Sequence, residues 1–226
     1  MAAWIAAVRH PEKQDDIDHI HRGDQALITE EGERQAQVLI ERARLLDIDI
    51  VLSSDTPRTA LLAARIGEAI GRKVETRALF REWRAPSVML GRSVDEPGIK
   101  ELKRVMRLSF DHGMPVADEE TRPMLEERNR QAQKLLLEYP QQRVLLVTHA
   151  KFICGLITQT IWGTLENYYS GPDRTLKLSH TGITVFVNEP DRRDGVRRLI
   201  VETVNDISHT EPRFYQDAER ILGAAE

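Results

Sequence analysis

Apolar residues in this chain come in two rhythms: short unbroken runs, and stripes that recur every three or four positions. A short unbroken run bounded by turn residues reads as a buried strand, and a stripe at helical spacing reads as a helix lying on it. The first strand covers residues 3–8 and stops at Arg9-His10-Pro11. A polar loop follows to about Ile28, and Thr29-Glu30-Glu31-Gly32 then opens a helix. Thr29 is its N-cap, and the acidic first turn suits the positive end of the helix dipole. The stripe of that helix is Ala36, Leu39, Ile40, Ala43 and Leu46. Residues 49–53 form a second strand and residues 56–70 a second helix, with Pro57 in its first turn and Gly71 at its end.

A third strand falls near residues 74–77. From Trp83 to about Ala117 the rhythm breaks, and Pro86, Gly91, Pro97, Gly98, Gly113 and Pro115 leave room for one helix near 99–108. A longer helix is expected over 119–139, closed by Pro140. Residues 143–148 are the clearest buried strand, leading through His149 into a helix over 152–162. Residues 181–188 and 198–204 are rich in β-branched side chains and flank Asp194-Gly195, a hairpin signal. Strands alternating with helices predict an α/β fold. The expected form is a three-layer α/β/α sandwich on a mostly parallel sheet, with the hairpin as its antiparallel edge near the C-terminus. A single domain over 1–226 is expected, with an insertion at about 85–117 that sets specificity.

Composition narrows the function classes. Lys and Arg total 32 against 36 for Asp and Glu, a formal net charge of −4. A general nucleic-acid binder needs a clustered basic surface, so nucleic acid is not an expected partner. Arg192, Arg193, Arg197 and Arg198 read instead as a solvated hairpin tip, since acids interrupt them and no aromatic lies among them. Cys154 is the single cysteine, which excludes an intrachain disulfide and suits a reducing cytoplasm. It sits on an apolar helix face and reads as a small core residue. The apolar start is short and has no basic region before it, so no signal peptide is expected. No apolar run is long enough to span a bilayer, so no membrane partner is expected.

In an open α/β sheet, ligands sit outside the carboxyl ends of the strands. Here those ends carry Arg9-His10, Ser53-Ser54 with Arg58 a turn later, and Thr148-His149. Three strands thus deliver two arginines and two imidazoles to one rim. Guanidinium groups bind phosphate oxygens in pairs of charge-assisted bonds, and a histidine among them can attack phosphorus. Phosphoryl transfer needs fixed positive charge above all, and this scheme requires no metal or other cofactor. His19 and His21 could together ligate a metal, but no third ligand stands near them in sequence.

At these residues the chain resembles the histidine phosphatase superfamily, also called the phosphoglycerate-mutase-like family. Arg9-His10-Pro11-Glu12 stands where that family has Arg-His-Gly. Leu27-Ile28-Thr29-Glu30-Glu31-Gly32 with Gln35-Ala36 is similar to its Leu-Thr-x-x-Gly-x-x-Gln-Ala helix start. Ser53-Ser54-Asp55-Thr56-Pro57-Arg58-Thr59-Ala60 resembles its Ser-Ser-x-x-x-Arg motif. Val147-Thr148-His149 matches its second histidine strand, and Val204-Asn205-Asp206-Ile207-Ser208-His209 its closing Asn-Asp-x-x-His segment. The resemblance spans about residues 3–210. It implies the family's sandwich fold, His10 as the nucleophile that becomes phosphohistidine, and Arg9, Arg58 and His149 as the grip on the phosphoryl oxygens. It also implies a proton donor after the third strand, where Glu82 stands; the family's other solution, an aspartate after the second histidine, is ruled out by Ala150.

Three departures bear on activity. Pro11 replaces a glycine and removes a backbone N–H. Asp15 and Asp16 occupy the neighbourhood of an asparagine found six residues after the family's first histidine; a carboxylate there repels phosphate unless it points away or meets a cationic part of the substrate. Trp83-Arg84-Ala85-Pro86 lacks the Tyr-Gly-x-Leu stretch of the glycolytic mutases. The expected activity is therefore a metal-independent, cytoplasmic phosphatase acting on a small phosphomonoester. Trp83, Arg84 and the 85–117 segment would line its substrate pocket. The alternatives are a catalytically weak member that binds phosphorylated ligands or protein partners, and a protein phosphohistidine phosphatase. A homodimer is compatible with this reading.

Overall fold

Six strands and six helices build the fold in the computed structural model, which describes residues 3–110, 112–140, 142–166, 168 and 176–210. The expected 1–226 domain therefore reaches beyond the described residues at both ends. The strands are β1 (Trp4–Arg9), β2 (Ile50–Ser53), β3 (Val74–Thr76), β4 (Arg143–Thr148), β5 (Ile183–Pro190) and β6 (Arg197–Asp206). They form one sheet in the order β3-β2-β4-β1-β5-β6. The first four run parallel, and β5 and β6 are antiparallel to their neighbours, so the hairpin forms the expected edge. Gly195, at φ 72°, lets the hairpin turn close, with Asp191 N–H donating to Val196 O.

The helices are α1 (Asp15–Asp18), α2 (Glu30–Leu45), α3 (Pro57–Ile70), α4 (Pro97–Phe110), α5 (Arg122–Leu137) and α6 (Ala150–Trp162). Successive strand side chains face opposite ways, so a strand buried on both faces reads as an unbroken apolar run. In β1, Ile5 and Ala7 join one core with Leu125, Ala132 and Leu136 of α5 and Phe152, Ile153 and Leu156 of α6. Ala6 and Val8 join the other, with Ala36, Leu39 and Ala43 of α2 and Leu62, Ala63 and Ile66 of α3. Two layers of helix thus enclose the sheet, the predicted α/β/α sandwich. Cys154 lies buried in the first core.

Several elements differ from the sequence reading by a few residues at their ends, β5 among them at Ile183–Pro190 rather than 181–188, and three differences lie close to the rim. The loop after β1 contains the short helix α1 and a 3-10 turn at Gly23–Gln25. α5 starts at Arg122 rather than near 119, because the carboxylates before it are drawn into other bonds. Glu119 accepts from the N–H groups of Val116 and Ala117, and Glu120 pairs with Arg128. α6 starts two residues earlier than its apolar stripe, at Ala150, with His149 at the N-cap position. No helix among the described residues is long and apolar enough to cross a membrane.

The parallel register sets the rim where chemistry is expected. Arg9 pairs with Thr148 and Ser53 with Val147. His10, Ser54 and His149 are consequently the first residues beyond three adjacent strands. Backbone bonds continue past the strand ends, from His10 N–H to Thr148 O at 2.9 Å and from Ser54 N–H to Val147 O at 3.1 Å.

Candidate active site

His10 is 3% exposed, and its Nδ1 lies 2.7 Å from Pro11 O. A carbonyl can only accept, so Nδ1 carries the hydrogen and the lone pair is left on Nε2. The His149 ring stands edge-on to it, 5.3 Å away between centroids. His149 Nδ1 is 3.2 Å from Arg58 Nη2, which can only donate, so the ring hydrogen sits on Nε2 and meets Ser54 Oγ at 3.0 Å. Thr56 Oγ1 is 3.3 Å from the same nitrogen. Both imidazoles are thus held in defined tautomers. Burial, followed by the charges around them, pushes both below the ordinary histidine value; His149, Arg58 and Arg9 act on His10, and Arg58, Arg128 and Arg9 act on His149.

Arg58 enters from the second residue of α3, where Pro57 fixes the first turn, and is 6% exposed. Its Nη1 donates to Gly23 O at 3.2 Å, and its nearest carboxylate, Asp24, is 3.9 Å away. Arg9 donates from Nη1 to Leu178 O at 2.7 Å, while its Nη2 lies 2.7 Å from His180 Nε2. Burial pulls both guanidinium groups below the ordinary arginine value, against the opposing charges of Glu82 and Asp16. Among the described residues neither Arg9 Nε nor Arg58 Nε has a hydrogen-bond partner, although both atoms are buried. An orphaned buried donor is costly, and two of them beside two imidazoles make a site that an anion would complete.

Glu82 follows the 3-10 turn Ala78–Phe80 and reaches the start of α6. Its Oε1 accepts from Trp83 N–H at 2.9 Å and Phe152 N–H at 3.2 Å, and its Oε2 from Lys151 N–H at 3.3 Å. The carboxylate thus serves as the cap that α6 lacks locally, placed at the positive end of the helix dipole. Two further bonds hold the turn that carries it. Thr148 Oγ1 donates to Phe80 O at 2.7 Å, and Arg128 Nη1 donates to Leu79 O and Arg81 O at 3.1 and 2.7 Å. Arg128 is itself fixed by a two-pronged pair with Glu120, both contacts at 2.7 Å.

Trp83 lies beside Glu82, with Lys151 Nζ 4.3 Å from its ring centre and its Nε1 donating to Glu120 O. Arg84 is exposed and donates to Asp118 O. The stretch before α4 is stitched to the loop after β1 by an antiparallel bridge between Ile20 and Ser93, and by bonds from His21 N–H to Arg92 O and Gly91 N–H to His21 O. His19 pairs with Asp95 at 2.7 Å. Among the described residues no group of three or more His, Cys, Asp or Glu could hold a metal ion, so the His19 and His21 pair gains no third ligand.

The two aspartates divide. Asp15 turns to Arg22 and Lys13, at 2.9 and 3.1 Å. Asp16 faces His180 Nε2 at 3.1 Å, with Lys13 Nζ and Arg9 Nη2 at 3.8 and 3.7 Å. Sequence reading missed His180, Arg128 and Glu120, and it named Ser54 at the rim and Thr56 in the motif without giving either a role. The signal for His180 lies in the topology: the residues before an antiparallel partner of β1 must lie beside the residues after β1.

A sandwich of this form, carrying imidazoles and arginines at this rim, belongs to a class of phosphoryl-transfer proteins. The chain is a member of the histidine phosphatase superfamily (branch 1), whose profile matches residues 5–198. Among curated proteins it is similar to the "Probable phosphoglycerate mutase GpmB" of Klebsiella pneumoniae, 32% identical over 96% of this chain and 99% of that protein. The protein of the same name from Salmonella arizonae is 30% identical over 96% and 99%. Among solved structures it shares its fold with Bacillus stearothermophilus YhfR (TM-score 0.75, 22% identity, 93% and 100% covered). It shares it also with phosphoserine phosphatase from Entamoeba histolytica in complex with 3-phosphoglyceric acid (TM-score 0.73, 18%, 92% and 100%).

Proposed function

We propose that this protein is a metal-independent phosphatase that hydrolyses a small phosphomonoester through phosphohistidine on His10. The observation that carries this reading is the pair of buried, unpartnered Nε–H donors of Arg9 and Arg58, beside an imidazole whose free lone pair is on Nε2. His10 Nε2 attacks phosphorus, the N–P bond forms, and the bond to the leaving oxygen breaks. Arg9 and Arg58 hold the equatorial oxygens, where the transition state spreads its charge. His149 joins them once a phosphoryl oxygen takes the Arg58 Nη2 hydrogen and the ring hydrogen moves from Nε2 to Nδ1, Ser54 Oγ then donating to Nε2. Glu82 gives its proton to the leaving oxygen. It then takes one from the water that attacks phosphorus, which breaks the N–P bond and releases phosphate. Trp83 and the 85–117 segment shape the pocket that chooses the substrate, and the enzyme works in the cytoplasm.

The name of the curated relatives favours a second reading, a phosphoglycerate mutase, in which an acceptor hydroxyl rather than water takes the phosphoryl group. One experiment addresses both. p-Nitrophenyl phosphate is hydrolysed without added metal, His10→Ala abolishes turnover, and Glu82→Gln slows it about 10²- to 10³-fold. In Glu82→Gln the phosphoenzyme accumulates as a phosphohistidine ³¹P signal. Turnover that survives His10→Ala refutes the reading. Transfer to 3-phosphoglycerate that outpaces hydrolysis favours the mutase.

A further inference from the structure

We propose that His180 and Asp16 act as one unit at the phosphoryl site, in which the imidazole screens the carboxylate from the incoming anion and orients Arg9, making His180 a positioning residue. This rests on the phosphoryl-transfer reading above. An Asp16 carboxylate 3.7 Å from Arg9 Nη2 is close enough to oppose a phosphate dianion held by that arginine. Unscreened, a charge at such distances would weaken binding by roughly tenfold or more. Burial pushes the Asp16 carboxyl up, yet a hydrogen bond that His180 can donate and, independently of it, the charge and backbone N–H of Lys13 carry it well below the usual carboxylate range, so the negative charge is present.

One atom of His180 answers both neighbours. Nε2 lies 2.7 Å from Arg9 Nη2 and 3.1 Å from Asp16 Oδ2. It can serve the guanidinium only as an acceptor and the carboxylate only as a donor. The ring thus sits between two arrangements. When a phosphoryl oxygen takes the Arg9 Nη2 hydrogen, Nε2 is released to carry the ring hydrogen and donate to Asp16. A tautomer change through solvent achieves this with no change in net charge; the side chain is 20% exposed. Asp16 then spends its lone pair on the imidazole instead of facing the anion.

The loop that delivers His180 is braced for this task. Arg9 Nη1 donates to Leu178 O, Thr181 N–H donates to Arg9 O at 3.0 Å, and Arg9 N–H donates to Gly182 O. Asn205 Oδ1 accepts from Ser179 N–H at 2.7 Å, which ties the same loop to the end of β6. Thr181 and Asn205 both hold positive φ, at 56° and 55°, a conformation non-glycine residues keep only where the surroundings impose it. The result places the His180 ring 6.3 Å from that of His10, on the flank of the site.

A double-mutant cycle tests the pair, read as vanadate affinity and as kcat and KM for p-nitrophenyl phosphate. His180→Ala weakens vanadate binding and kcat/KM at least tenfold. Asp16→Asn strengthens vanadate binding about threefold in the wild-type background but at least tenfold in His180→Ala, where the imidazole is gone from the carboxylate and only Lys13, through its ammonium and its N–H, still answers it on that side. Equal effects of Asp16→Asn in the two backgrounds, or an unimpaired His180→Ala, overturn the proposal. If His180→Ala does not fold, His180→Gln carries the test. Its amide can still donate to Asp16, so vanadate binding stays within about fivefold of wild type, and a larger loss not relieved by Asp16→Asn overturns the proposal. A wild-type protein that neither binds vanadate nor turns over refutes the function reading and this inference with it. An active wild type with no coupling refutes only the inference.

Discussion

Replacing Arg58 by methionine should make this protein more stable and nearly inactive. The guanidinium is 6% exposed, and its nearest carboxylate is 3.9 Å away on the half-exposed Asp24. Taking a charge out of water costs several kcal/mol, and a single distant acid offsets only part of it. Methionine removes that cost. It forfeits the bonds to Gly23 O and His149 Nδ1, both 3.2 Å long and so each near the lower end, about 1.5 kcal/mol, of what a charged donor contributes. The balance favours the variant by about 1–3 kcal/mol. For a chain of this size that raises Tm by roughly 3–10 °C. Function moves the other way. In the proposed complex Arg58 gives Nε and one Nη to the phosphoryl group, and charge-assisted bonds are worth about 1.5–3 kcal/mol each. Losing two lowers vanadate affinity and kcat/KM by roughly 10²- to 10⁴-fold. Calorimetry and a vanadate titration on the same samples decide it. A lower Tm would mean that Arg58 is retained for stability, and vanadate affinity within threefold of wild type would remove it from the site.

Stability should also fall on mild acidification, because the unfolded chain binds protons that buried His10 and His149 refuse. Their folded values lie below the ordinary 6.5, so the folded state is undisturbed above that pH and loses stability as pH drops beneath it. The slope reaches at most about 1.4 kcal/mol per pH unit for each histidine. Urea melts between pH 7.5 and 5 measure it, and a flat or rising profile contradicts the assignment of both rings as neutral. Gly32→Ala should cost about 2–3 kcal/mol by overpacking. Its Cβ would stand 2.2 Å from the backbone oxygen of Glu12 and 2.4 Å from Ile28 Cγ2, and that strand of backbone leads directly to His10. Thermal melts of the variant, with kcat reduced more than KM is raised, check the connection; an unchanged Tm would show that the loop yields freely.

The architecture was legible because two-sided burial leaves a plain mark. Residues such as Ile5, Ala6, Ala7 and Val8 are apolar without interruption since each face of β1 has a helix layer over it. His10, Arg58 and His149 were legible for a related reason: each stands where a strand ends or a helix begins, and the carboxyl rim collects whatever stands there. Element ends and supporting contacts were less accessible. α6 begins at Ala150 because a carboxylate from 69 positions earlier caps it. Asp16 reads as a liability in sequence because its partner lies 164 positions away. Arg128 and Glu120, eight residues apart and at the end of no strand, carry no local sign that they hold the Glu82 turn. Long-range pairs of polar groups leave no periodic trace, since one side chain on each segment suffices to make them.

Pro11 belongs to the same set, and its case shows why a departure from a motif cannot be weighed one group at a time. As a donor it is a loss, since the ring has no N–H. Its carbonyl, however, accepts from His10 Nδ1 at 2.7 Å, a bond that leaves the free lone pair on Nε2. A proline fixes φ at its own position and restricts the residue before it, which is His10 itself. The ring therefore narrows the conformations through which the imidazole and this carbonyl could drift apart. A glycine would return one donor to the loop and release that restriction. The site around His10 already holds unpartnered donors on Arg9 and Arg58, so positive hydrogen-bonding capacity is what it has in excess. Orientation of a single imidazole nitrogen is the scarcer quantity, and that is the one Pro11 helps to supply.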